Sequence, residues 1–155
     1  MRLLCRTAEG FQFQEFNDAS EVRYAILPHR WHGTDEEISY KDIKKGRSLD
    51  TKLKGLQKLT YTLDQAAEDG LVYVWIDTCC IDKSSSTELS EAINSMYYWY
   101  EQADKCYAFL WDVESACPEL TDHSHERQWL EKFGRSDWFT RGWYGDPICH
   151  QSCLP

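Results

Sequence analysis

No stretch of about 18 apolar residues occurs anywhere in the chain, which excludes a membrane-spanning helix. The opening Met1-Arg2-Leu3-Leu4-Cys5-Arg6 is basic, but its apolar part is too short for a secretory signal. Asn-x-Ser/Thr sequons are absent. Positive charge is scarce: 17 Lys and Arg face 26 Asp and Glu, a net charge of −9. A chain this acidic, without a dominant basic face, is a poor match for phosphate backbones or anionic membranes. Neither G-x-G-x-x-G nor a P-loop is present, which disfavours Rossmann and Walker-type phosphate cradles. The seven cysteines are odd in number and scattered. Adjacent Cys79 and Cys80, just after an apolar run, read as buried thiols and not as a disulfide framework. The expected compartment is therefore the reducing cytoplasm.

What is present is a core. The chain has 155 residues, 42% of them apolar, with seven Trp, nine Tyr and six Phe, enough for one domain. No internal repeat or linker interrupts it. Phe11-Gln12-Phe13-Gln14-Glu15-Phe16 alternates as a half-exposed strand does. Arg23 to Leu27 is a short buried strand stopped by Pro28, and its end delivers His29, Arg30 and Trp31 into a loop. Residues 33–47 are polar, charged and expected to be irregular. Leu49, Leu53, Leu56, Leu59, Leu63 and Ala67 then recur at helical spacing, and Gly70 marks the helix end. Leu71 to Ile76 is apolar throughout, as in a strand covered on both faces. A second amphipathic helix spans Glu88 to Ala103, a third buried strand spans Cys106 to Trp111, and Trp129, Leu130 and Phe133 suggest a short helix. This order predicts an α/β fold, a three-layer, mostly parallel sheet flanked by helices with right-handed crossovers.

Ligands in open α/β sheets bind beyond the carboxyl ends of the strands. Three polar groups fall there: His29-Arg30-Trp31, Asp77 to Asp82, and Asp112. Each has an ordinary structural role beside a functional one. Asp77 and Asp82 suit turn formation. Glu88 suits a capping box with Ser85, its carboxylate reaching back to the Ser85 amide. His29 suits a hydrogen-bonded strand end as well as a general base. Trp31, Trp138 and Trp143 suit packing. Cys79 or Cys80 as a nucleophile requires a base that only the fold supplies. The cationic residues from Lys41 to Lys58 read as a solvated helix face. Cys149-His150-Gln151-Ser152-Cys153 and His123-Ser124-His125 lack zinc-site spacing, so no metal site is expected.

Three ordered blocks resemble the fungal heterokaryon incompatibility (HET) domain: Tyr24 to Trp31, Val74 to Lys83, and Glu88 to Met96 with Tyr100 and Ala103 beyond. The closing Trp138-Phe139-Thr140-Arg141-Gly142-Trp143 also matches. The resemblance implies a module of fungal non-self recognition and cell-death signalling, acting through protein partners or self-association. It further implies a TIR/flavodoxin-like fold, since the family looks related to Toll/interleukin-1 receptor domains, some of which cleave NAD. On that analogy NAD is a substrate, Asp77, Asp82 and Glu88 are candidate catalytic carboxylates, and His29, Arg30, Trp31, Cys80, Arg141 and Trp143 line the ligand site.

Two departures stand out. Pro28 replaces the Ser that usually precedes the His-x-Trp of the first block. After Trp143 the family continues Thr-Leu-Gln-Glu-Leu, whereas this chain reads Tyr144-Gly145-Asp146-Pro147-Ile148-Cys149. The Glu expected there is missing, and Asp146 sits in a Gly-Asp-Pro turn. Residues 1–143 are thus expected to form an incomplete HET domain and 144–155 an atypical tail. Three readings follow: a signalling module without chemistry of its own, an NAD-cleaving hydrolase, or a truncated inactive fragment.

Overall fold

A computed structural model describes residues 1–31, 33, 35–113 and 123–140. The strands are β1 (Arg2–Thr7), β2 (Gly10–Glu15), β3 (Tyr24–Ile26), β4 (Tyr73–Trp75) and β5 (Lys105–Cys106). The helices are α1 (Tyr40–Lys44), α2 (Leu53–Glu68), α3 (Asp77–Cys80), α4 (Ser86–Gln102) and α5 (His123–Gly134). Two 3-10 turns, Ala19–Glu21 and Asp137–Thr140, complete the order. Among the described residues no helix is long and apolar enough to cross a membrane.

The five strands form one mixed sheet in the order β2-β1-β4-β3-β5. β3 lies parallel to both β4 and β5, while β1 runs antiparallel to β2 and β4. The expected α/β class and the parallel trio are present, and an antiparallel hairpin extends one edge. Tyr24, Ala25, Ile26, Val74 and Trp75 are almost completely buried, as strands covered on both faces must be. The connection from β3 to β4 steps one way across the sheet, and that from β4 to β5 steps back past β3. Right-handed crossovers in opposite directions put α2 and α4 on opposite faces. On the α4 side, Trp75 meets Trp99 and Tyr100, and the Tyr24 hydroxyl donates to the Trp99 carbonyl. On α2, Leu59, Leu63 and Ala66 form the buried stripe, and the Tyr107 hydroxyl donates to Asp69 at 2.6 Å. Gly70 takes φ +72° just beyond the helix, and Leu71 N–H bonds the Ala66 carbonyl, a Schellman-type stop where Gly is favoured.

Several local expectations change. Strand β1 is additional: Leu3 and Leu4 are fully buried, but their apolar run is only two residues long between Arg2 and Cys5-Arg6, and although β1 forms a local hairpin with β2, its place in the sheet depends on the remote pairing of Leu4 with Val74. Residues 33–47 are not irregular throughout. Ser39-Tyr40-Lys41-Asp42 forms a complete capping box that starts α1. The third parallel strand is shorter than Cys106 to Trp111, because the ladder stops at Cys106 and resumes only as a bridge between His29 and Phe109. Pro28, without an amide hydrogen, interrupts β3 between those points. The short helix around Trp129 is the longer α5.

Gly55 lets the backbone of residues 36–38 lie directly on α2. A Cβ at Gly55 would fall 2.4 Å from the Glu36 carbonyl oxygen and 3.0 Å from the Ile38 nitrogen. Alanine favours helix by about 1 kcal/mol over glycine, but overpacking against backbone costs about 1–3 kcal/mol. Gly55→Ala is therefore expected to lower the urea midpoint of unfolding. A raised midpoint would show that this contact is not tight.

Candidate functional site: a buried charged cluster at the strand ends

Because β3 and β4 are parallel, the residues that follow them emerge together. Beyond β3, His29 turns its ring inward, 1% exposed at the side chain, with Nδ1 3.1 Å from the Leu27 carbonyl. A carbonyl accepts only, so Nδ1 carries the hydrogen and Nε2 is left as an acceptor. Nε2 lies 3.5 Å from Asp77 Oδ1 at the start of α3, a separation and pairing that makes no hydrogen bond. Leaving a buried acceptor such as Nε2 without a hydrogen bond costs about 1–3 kcal/mol. The other Asp77 oxygen accepts the Trp31 indole N–H at 2.9 Å. The Lys83 ammonium lies 3.6 Å from the centroid of the Trp31 ring, a cation–π contact.

Beneath this group lies a second pair that sequence reasoning missed. Lys58, in the middle of α2, is 1% exposed and ion-paired with the buried Glu37 carboxylate. The expectation of a solvated basic face fails here. The clue was positional: Lys58 lies on the same helical stripe as Gly55, Leu59, Thr62 and Leu63, all buried. Glu37 reaches it because Gly55 admits the 36–38 backbone.

The electrostatics follow from burial. Loss of solvent, followed by the nearby Lys58 charge, pushes the His29 imidazole down to about 3, so it is neutral at physiological pH. Burial lowers the Lys58 ammonium against the opposing pull of Glu37, and burial also lowers Lys83. The cluster thus offers a neutral imidazole acceptor, a carboxylate and an aromatic face at one point. That set can accept a proton or a hydrogen-bond donor.

Other candidates are placed elsewhere. Asp82 accepts from the Ser84 amide and hydroxyl, at 3.0 and 2.6 Å, and these bonds hold its carboxyl below the usual range. This is the turn role. Glu88 bonds Arg2 at 2.6 Å and the Asp82 amide at 2.7 Å. Partial burial raises the Glu88 carboxyl, but Arg2 and that amide outweigh it, leaving the group low. The Ser85 hydroxyl does accept from the Glu88 amide, yet the carboxylate does not return to Ser85, so the capping box is half formed. Cys80 is buried with its sulfur against Ile76 N and Val74 O, inside the β4–α3 turn. Its hydrogen bond with Cys79, and burial, raise the Cys79 thiol well above its ordinary value, the opposite of an activated nucleophile. Arg30 points away from Asp77 and pairs with Asp137. Trp138 is buried and donates to the Pro28 carbonyl at 3.0 Å, the expected packing role. Arg141 and Trp143 lie outside the described residues. Among the described residues no group of three or more His, Cys, Asp and Glu is placed to hold a metal.

The family model for heterokaryon incompatibility protein (HET) matches residues 24–122, and the chain belongs to that family. It is 47% identical over 141 residues to Vegetative incompatibility protein HET-E-1 of Podospora anserina, an alignment covering 83% of this chain. The chain spans 10% of the length of that curated relative. No solved structure matches it.

Two measurements check this electrostatic picture. His29 is neutral when folded and ordinary, near 6.5, when unfolded, so the unfolded chain binds the extra proton between about 6.5 and 3. Stability contributed by this group is complete above that window and is lost as pH falls through it. His29→Asn should flatten the fall in urea midpoint between about pH 7 and 4.5, and the wild-type ring resonances should not titrate there. An inflection near pH 6.5 in the His29 resonances would refute burial of a neutral ring. For the ion pair, Lys58→Met alone should cost about 3–5 kcal/mol, because a buried carboxylate loses its ammonium, while adding Glu37→Leu should recover most of it. Additive losses in the double variant would mean the two groups are not coupled.

Proposed function

We propose that this chain is a heterokaryon incompatibility module of fungal non-self recognition, which triggers cell death from the cytoplasm through protein partners or self-association. The observation that carries this reading is the convergence of the first, second and closing family blocks at one edge of the sheet. His29 and Trp31 come from the first block and meet Asp77 of the second, while Trp138 of the closing block, with Asp137 just before it, holds the first from its other side. HET-E-1 is by name a vegetative incompatibility protein, and the shared identity extends that role to this chain. The His29–Asp77 cluster is the part of the module expected to be needed for the outcome.

A second reading, cleavage of NAD, draws on one observation: Asp77 alone of the three candidate carboxylates lies beside the neutral His29. A carboxylate there suits stabilisation of the positive charge that develops when the bond to nicotinamide breaks and water is added.

Inducible expression in a filamentous fungus tests the first reading. The wild-type chain should arrest growth, and Asp77→Asn or His29→Ala should restore colony survival at equal protein level. A harmless wild type, or equally toxic variants, would overturn it. Nicotinamide release from NAD by the purified chain, lost in Asp77→Asn, is the expected result for the second reading. No release above buffer would end it.

A further inference from the structure

The connection from β3 leaves toward β4 and that from β4 returns past β3 to β5, so the strand order reverses between β3 and β5. In open α/β sheets the crevice at such a point is where ligands usually bind. Here a segment of the chain itself spans it. Ser136 Oγ donates to Asp112 Oδ1 at 2.7 Å, and the Asp137 amide donates to Asp112 Oδ2 at 2.8 Å, both just beyond β5. The Asp137 carboxylate pairs with Arg30, and the Trp138 indole donates to the Pro28 carbonyl at 3.0 Å, both just beyond β3. Trp138 is 7% exposed in that position.

His29 forms an isolated parallel bridge with Phe109, and the residues after it, Arg30 and Trp31, make contacts with different partners. His29 and Trp31 face Asp77. Arg30 faces the 136–140 segment. The strand-end cluster and this segment therefore grip one short stretch of backbone from its two sides.

We propose that residues 136–140 are a latch that regulates the strand-end site: docked on Asp112, Arg30 and Pro28, they hold His29 and Trp31 against Asp77, and released, they let that stretch turn. A partner that binds residues 136–140 therefore acts on His29 and Trp31 without touching them. Coupling of this kind needs a two-state element that both ends bias, and the docked or undocked latch is that element. The inference rests on the reading of the His29–Asp77 cluster as the working site.

The test is made on the whole chain by NMR, with amide hydrogen exchange of Asp137 reporting the latch, and the Trp31 indole and His29 ring resonances reporting the site. Asp112→Asn should speed exchange at the Asp137 amide about tenfold, as loss of a charged acceptor does. It should shift the Trp31 and His29 resonances as well and leave the β1–β2 amides unchanged. Asp137→Arg should produce the same pattern, and adding Arg30→Glu should reverse it. If Asp112→Asn does not fold, Ser136→Ala removes one latch bond and is read in the same way. Faster exchange at Asp137 with unmoved Trp31 and His29 signals would overturn the coupling. Unchanged exchange would overturn the latch. Neither outcome depends on whether the chain is toxic, so failure here is distinguishable from failure of the functional reading.

Discussion

Two strands that run the same way end at the same edge, and the site exists because β3 and β4 are parallel with Ile26 opposite Trp75. With that register, the chain leaves β3 toward His29 and leaves β4 into Asp77 only 3.5 Å away. An antiparallel pairing would put the two at opposite ends of the sheet. The register is in turn held by burial on both faces, with Trp75 against α4 and the leucine stripe of α2 on the other side. A slip of one residue would turn Trp75 toward the wrong layer, which is why apolar packing specifies the alignment so strictly.

Placing charge at that edge is costly, and the fold manages it locally. Lys58 and Glu37 compensate each other in the interior, and Gly55 is the device that brings Glu37 within reach. His29 escapes the cost by staying neutral. Buried ion pairs seldom add net stability relative to apolar replacements. Their retention beneath the His29–Asp77 pair, and the unsatisfied Nε2 above it, are a pattern of local expense gathered at one place.

Glu88 and Arg2 show the same chemistry used for construction. Arg2 joins Glu15, Glu88 and the Cys80 carbonyl and lies over the Tyr40 ring, so one guanidinium ties the hairpin edge to α1, α3 and α4. The Glu88 carboxylate, one of the three candidates, helps to hold the β1–β2 hairpin against the parallel core. Spacing alone does not separate these roles, because Asp77 and Glu88 are both acidic residues near helix starts.

Periodicity and apolar runs in the sequence were sufficient to determine the α/β class, the parallel core strands, the two long helices and the convergence of polar groups at strand ends, because those features depend on local pattern and on chirality. Motif blocks determined the family for the same reason: they are contiguous. Tertiary structure alone decided that β1 pairs with β4, that Lys58 is buried and matched by Glu37, and that Asp77 and not Glu88 meets His29. Each of those is a contact between residues far apart in the chain. Burial and partner choice there depend on the whole packed core, which no window of neighbouring residues encodes.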